Sequence, residues 1–226
     1  MMNDSRATQN IQSKKQVAEA AARLVDGGML VGLGSCSTAE LFVQALGARV
    51  ADGLRIRAVA TSGRSEAAAR AVGIELVELD GPIDLAVDGA DVVERETLAA
   101  IKGLGGALTR EKIVAAAARS FVLIVDTTKI VDDLADAYDR VPVPIEVLSF
   151  GWKLTAQRLS ELGSPVVTDN GNLILDLYHP IEPDPARLAG AIDTITGVVE
   201  HGLFLGMAGS AIVGTPEDVY DLRRIR

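Results

Sequence analysis

A chain of 226 residues, 48% apolar and 23% charged, can bury a substantial core as one large domain or two modest ones. Its formal net charge of −9 argues against a nucleic-acid-binding face or an anionic-membrane surface, each of which needs a basic patch, but leaves room for an anionic small molecule held by a few local donors. A single cysteine, Cys36, excludes an intramolecular disulfide and a cysteine-rich metal site. The polar segment Met1–Ser13 lacks the apolar stretch of a signal peptide, and no apolar run reaches membrane-spanning length, so a cytoplasmic protein is expected.

With aromatics at only 4%, the core must come from Ala, Val, Leu and Ile. Residues 1–11 read as a frayed tail. Ser13-Lys14-Lys15-Gln16 then has the form of a capping box, followed by Val17, Ala20, Ala21, Leu24 and Val25 at helical spacing. Strand and helix alternate from there. Strands are predicted at 29–33, 56–60, 74–79, 83–87 and 121–125, and helices at 39–50, 64–72 and 109–118. Continuous apolar strands alternating with helices predict a doubly wound α/β domain with a mostly parallel, Rossmann-like sheet.

The texture changes near residue 131. Pro142 and Pro144 break regularity before a strand at 145–148, and a helix is expected at 153–162. Asp169-Asn170-Gly171-Asn172 carries an Asn-Gly hairpin signal between 165–168 and 173–178, and a helix is expected at 185–196. This reads as a second, smaller α+β domain over 131–204. Residues 1–130 and 205–226 form the larger domain, the last stretch returning to its sheet.

Ligands of open α/β sheets bind at the carboxyl ends of the parallel strands. Three polar turns follow predicted strands, Gly34–Thr38, Thr61–Gly63 and Asp88–Asp91, and a Gly-rich turn, Lys102–Ala107, precedes a helix. Gly34-Ser35-Cys36-Ser37-Thr38 offers free N–H groups and hydroxyls to a phosphate, or Ser37 is simply a helix cap. Asp88 and Asp91 can bind sugar hydroxyls or share acid–base duty, or form an Asx turn. Lys102 can neutralise a developing oxyanion, or be a solvated lysine. Glu111 falls in the first helical turn after a possible Thr109 cap, where the dipole favours any glutamate. His179 and His201 lack metal-ligand companions at recognisable spacing, and no hydrolase elbow or zinc motif is present.

From about Lys14 to Ala208 the sequence resembles the ribose-5-phosphate isomerase type A family. The segments that carry the resemblance are VGLGSCSTAE, ATSGRSEA, DLAVDGAD, IKGLGGALTREKIVAAA, FVLIVDTTKIV, PVPIEVLSFGW, TDNGNLILDL and GVVEHGLFLGMA. The resemblance implies an aldose–ketose isomerase of the pentose phosphate pathway that interconverts D-ribose 5-phosphate and D-ribulose 5-phosphate through an enediolate, with neither cofactor nor metal. It implies Glu111 as the proton shuttle, Asp88 and Asp91 at the sugar end and Lys102 as the active-site cation. Substrate contacts are implied at Ser35, Cys36, Ser37 and Thr38, at Gly89 and Ala90, at Gly103, Leu104 and Gly105, and at Lys129 and Lys14. It also implies a homodimer or homotetramer joined through the smaller domain.

Two departures touch ligand contacts. Cys36 stands where the family has glycine in T-G-S-T, and Leu104 interrupts K-G-G-G. They leave open an isomerase for another sugar phosphate. A non-catalytic sugar-phosphate-binding protein and an acyl-CoA-type transferase with a glutamate nucleophile are the rivals from other classes. Retention of Glu111, Lys102 and both aspartates favours the isomerase.

Overall fold

The computed structural model describes residues 2–159, 165–180 and 182–225, with 2–10 described by backbone alone. Helix α1 (Met2–Ala22) leads into β1 (Leu30–Leu33), α2 (Ser37–Ala51), β2 (Arg57–Ala60), α3 (Gly63–Ala71), β3 (Glu75–Leu76) and β4 (Leu85–Asp88). Next come β5 (Val92–Glu94), β6 (Ala100–Ile101), α4 (Leu108–Ala117) and β7 (Phe121–Asp126). The remainder holds β8 (Ile130–Val131), β9 (Val143–Val147), α5 (Trp152–Arg158), β10 (Val166–Val167), β11 (Leu173–Leu177), α6 (Pro185–Asp193), β12 (Val198–His201), β13 (Leu203–Phe204), β14 (Ser210–Gly214) and β15 (Val219–Arg223).

A seven-stranded sheet in the order β15-β14-β7-β4-β1-β2-β3 forms the centre, parallel throughout except for β15 at one edge. Strands β1, β4 and β7 are buried along their whole length because helices cover both faces, which explains their unbroken apolar sequences. Alternate strand residues serve opposite layers. Val31, Leu33, Val87 and Ile124 pack with Val17, Ala21, Phe42 and Leu46 of α1 and α2. Leu30, Ala86, Leu123 and Val125 pack with Val114 and Ala115 of α4 and with Phe204. Each large side chain so buried, Phe42 and Leu46 among them, contributes roughly 1.5–3 kcal/mol. The sheet order places a topological switch point between β1 and β4, whose carboxyl ends lead into Gly34–Thr38 and Asp88–Asp91.

Two four-stranded sheets complete the fold. One, β10-β11-β9-β12, is antiparallel and packs against α5 and α6 through Val143, Ile145, Leu175, Leu188 and Ile192. The other, β13-β6-β5-β8, joins short strands from distant parts of the chain.

Several expectations need correction. Ser13 does not cap a helix: α1 runs through it from Met2, and its hydroxyl donates to the Thr215 carbonyl, 2.8 Å away beyond β14. Tertiary contact here overrides a local signal. β3 covers only Glu75–Leu76, which pair with Arg57 and Ala58 at the start of β2, rather than the whole of 74–79. β9 begins before its expected position and contains Pro144, which pairs with Asp176 of β11 beyond the end of β12 and accepts the Gly202 N–H at its carbonyl. α5 ends at Arg158 and α6 at Asp193, short of their expected ends, and residues 160–162 of the former expectation lie outside the described residues. The β13-β6-β5-β8 sheet was not expected at all, since strands of two or three residues give no periodicity to read.

Candidate active site

The switch point is held by one carboxylate. Asp88, at the end of β4, accepts the Gly89 and Ser35 N–H groups at Oδ1, 2.8 and 3.3 Å away, and the Lys102 ammonium at Oδ2, 2.9 Å away. The backbone must approach closely for this. A Cβ on Gly34 would lie 2.0 Å from Asp88 Oδ1, so only glycine fits. Asp88 thereby ties the phosphate-loop candidate to the centre of the sheet.

Lys102 follows β6 and is buried, as is Glu111 in the first turn of α4. Its ammonium also donates to the Gly89 carbonyl at 2.5 Å and lies 3.2 Å from Glu111 Oε2, which receives no well-directed hydrogen bond from it. Burial works against the Lys102 ammonium, but the Asp88 and Glu111 charges outweigh it and hold the group firmly protonated. Burial, reinforced by Asp88, pushes the Glu111 carboxyl up to about 7 despite Lys102. Asp91 is raised too, by burial against the pull of Lys102, and one of its oxygens takes only a long bond, 3.4 Å, from the Leu104 N–H. A cavity of about 50 Å³ lies among Ser35, Cys36, Gly89, Ala90, Asp91, Lys102, Gly103, Gly105 and Glu111.

The fold therefore brings together most of the residues singled out from sequence. Lys14 joins them, its Nζ donating to Ser37 Oγ at 3.1 Å across 23 positions of chain. Thr38 is buried in the first turn of α2, and neither Ser37 nor Thr38 lines the cavity. Lys129 sits in a single 3₁₀ turn after β7, close enough for its charge to oppose the rise at Asp91, but outside the cavity wall. Leu104 contributes its backbone N–H, and its side chain is exposed. Ser37 is not the cap of α2. Cys36 is, with Sγ accepting the Ala39 N–H at 3.3 Å. Its φ of −85° needs no glycine, and its sulfur fills the space where a Cβ on Gly89 would lie, 2.3 Å away. Thr109 is no cap either. Ala107 occupies the cap position of α4, without a side-chain bond. Thr61 was read as a turn residue alone, yet its hydroxyl lies 2.6 Å from Ser35 Oγ and bonds the Leu33 carbonyl at 2.8 Å, bracing the loop. Phe204, whose ring centroid lies 5.3 Å from Lys102 Nζ, was not anticipated, because nothing in the sequence pairs β13 with β6.

Among the described residues, Asp193, Glu200 and His201 bring potential metal-ligand atoms together, contrary to the isolation that spacing suggested for His201. The ring's own bonds argue against a metal. His201 Nδ1 accepts the Leu203 N–H at 3.2 Å, and burial with the nearby Lys112 holds its pKa down, so the neutral ring keeps its proton on Nε2. Lys112 already supplies the cation, 2.7 Å from Glu200 Oε1.

Comparison with known proteins places this arrangement. The family sequence model for ribose 5-phosphate isomerase A (phosphoriboisomerase A) matches residues 57–218. The ribose-5-phosphate isomerase A of Gluconobacter oxydans is 51% identical over 91% of this chain and 94% of its own length. That of Thermomicrobium roseum is 49% identical over 95% of each chain. The solved ribose 5-phosphate isomerase A of Methanocaldococcus jannaschii superposes with a TM-score of 0.88 at 39% identity, covering 95% of this chain and all of that one. A D-ribose-5-phosphate isomerase solved in complex with phospho-erythronic acid superposes with a TM-score of 0.87 at 39% identity over 94% of this chain and 98% of its own. With the switch-point site, the matched segments and whole-length likeness in agreement, the chain belongs to the ribose 5-phosphate isomerase A family.

Proposed function

We propose that this enzyme interconverts D-ribose 5-phosphate and D-ribulose 5-phosphate, a step of the pentose phosphate pathway, with Glu111 as the base. The observation that carries the reading is Glu111 itself: a buried carboxyl raised to about 7, facing a small cavity, beside a lysine that stays charged. In the open-chain aldose, Glu111 takes the proton from C2 as the C1 aldehyde becomes an enediolate oxygen; the C2 hydroxyl proton then passes to the C1 oxygen, and Glu111 returns its proton to C1 as the C2 oxygen becomes the ketone. A carboxylate poised near neutral pH suits both transfers. Lys102 stabilises the developing oxygen charge without reorganising.

The two aspartates divide the remaining work. Asp88 already binds two amides and Lys102, so it positions the cation. Asp91 is the carboxyl with capacity to spare for sugar hydroxyls and ring opening. The loop Ser35–Thr38, whose Ser35 and Cys36 line the cavity while Ser37 and Thr38 lie outside it, takes the phosphate together with Lys14. Gly89, Ala90, Gly103 and Gly105 form the cavity wall, with Leu104 and Lys129 at its margin. Replacing both Ser37 and Thr38 by alanine is expected to raise KM several-fold with little change in kcat, because a phosphate anchor binds ground and transition states alike. An unchanged KM in steady-state kinetics would take the loop out of the site. The founding test is ribulose 5-phosphate formation from ribose 5-phosphate by the purified protein, assayed in chelator. Absence of turnover, with turnover of another sugar phosphate, would move the substrate assignment to a paralogous isomerase.

The proposal extends to organisation. A larger unit, 1–130 with 205–226, is supported by a core drawn from those residues alone, and a smaller one, 131–204, by the β10-β11-β9-β12 sheet, whose core also takes in Val92, Ala99 and Ile101. The smaller unit supports a homodimer or homotetramer. Phe150 is 94% exposed, with Leu148, Leu154, Val166 and Val167 also exposed near one end of that sheet, where Leu173 pairs with both Val147 and Val167. Changing Phe150→Ser with Val167→Thr should lower the mass measured by light scattering, and an unchanged oligomer would place the interface elsewhere. No described helix is long and apolar enough to cross a membrane, and the lone thiol fits the proposed cytoplasmic location.

A further inference from the structure

The carboxylate of Glu146, in β9, is fully buried and forms no salt bridge among the described residues. Four neutral donors surround it instead. Oε1 accepts from Thr168 Oγ1 at 3.0 Å, Asn170 Nδ2 at 3.1 Å and Asn172 Nδ2 at 2.8 Å, all in the hairpin turn between β10 and β11. Oε2 accepts from Thr109 Oγ1 at 2.5 Å, in the first turn of α4, two positions before Glu111. The same turn holds α4 and α3 from outside. Arg110 Nε donates to Asn170 Oδ1 at 2.7 Å, and the Gly63 N–H donates to Asp169 Oδ2 at 2.9 Å.

A buried carboxylate satisfied only by neutral donors is costly unless every partner is kept. None of these groups touches the cavity, and the helix they grip has no side-chain cap of its own. Its first turn would otherwise be free to shift or fray. We propose that Glu146 is a positioning residue: clamped by the 168–172 turn, it fixes Thr109 and so sets where the α4 first turn presents Glu111 to the substrate carbons. The inference rests on Glu111 being the base. It also gives the TDNGN segment a task that its turn geometry alone does not require, since an Asn-Gly pair suffices to close a hairpin.

The test compares Thr109→Val, which keeps shape and removes the hydroxyl, with Thr109→Ser, which restores it, and with Glu111→Gln. Thr109→Val is expected to lower kcat by roughly 10- to 100-fold at nearly unchanged KM, since a small displacement of a catalytic group costs that much. Thr109→Ser should return kcat toward wild type. A role confined to stability would lower the melting temperature of Thr109→Val and leave the kcat of folded protein intact, and that result overturns the proposal. If Thr109→Val does not fold, Asn172→Ala reads the same link from the hairpin side: a lower kcat at constant KM supports it, and a wild-type kcat overturns it. Glu111→Gln separates the two readings. If it is active, the base assignment fails and takes this proposal with it; if it is inactive beside a fully active Thr109→Val, only the positioning role is lost.

Discussion

Glu111→Gln should lose turnover by roughly 10²- to 10⁴-fold while KM changes little, because it removes the proton shuttle without changing the shape of the cavity. The same carboxyl predicts the pH response. Its pKa is raised to about 7, chiefly by burial and then by Asp88, so the fraction able to accept a proton grows as pH rises through that value. Wild-type kcat/KM should therefore climb between about pH 6 and pH 8 and level off. Lys102, held protonated by Asp88 and Glu111, imposes no fall within that range. Stability should run the other way. A group whose folded pKa lies above its ordinary value of 4.5 contributes stability that is complete below that value and lost as pH rises through about 7. Glutamine has no proton to lose. Glu111→Gln should thus become more stable than wild type above neutrality, by up to about 3 kcal/mol, with the difference closing below pH 5. Denaturant titrations at pH 5 and pH 8 measure this. Equal stability of the two proteins at pH 8 would contradict the raised pKa, and wild-type turnover in the variant would remove the assignment altogether.

The base role proposed for this first-turn glutamate was not legible from local signals, since a helix dipole favours any acid there. Resemblance to a family supplied the role, and the fold supplies the reason: β6 delivers Lys102 and β4 delivers Asp88 to the same buried point. The main sheet was readable because β1, β4 and β7 are apolar without interruption, a pattern that only two-sided burial produces. The turns after β1, β2 and β4 were readable for the same reason, being polar interruptions where apolar runs stop. What escaped was non-local. Lys14 and Ser37, Thr61 and Ser35, and Glu146 with its four donors meet through packing across long stretches of chain. Strands β5, β6, β8 and β13 escaped for a related reason. At two or three residues each they carry no periodicity, yet they seat Lys102 and Phe204. Cys36 shows the converse. Set against the family's T-G-S-T it departs from a glycine at an implied ligand contact, whereas in the fold it caps α2 in an ordinary extended conformation.

Lys102→Met should be more damaging than its single charge suggests. The ammonium is the shared partner of Asp88 and Glu111, at 2.9 and 3.2 Å, in surroundings that admit almost no solvent. Removing it leaves two carboxyls facing each other without a cation, a change that typically costs about 3–5 kcal/mol when one member of a buried pair is deleted. Turnover should fall by a further factor of roughly 10² to 10³, the usual loss when a preorganised oxyanion donor is removed. The two losses have different remedies. Adding Glu111→Gln removes one of the stranded carboxyls and should restore much of the stability, but none of the activity, so the double variant should be less destabilised than the sum of the single changes. Unfolding free energies of the four proteins at pH 8 close the cycle. Additive values would mean that Lys102 and Glu111 are not coupled, and the shared cation would then be no explanation for how Glu111 is held ready beside the cavity.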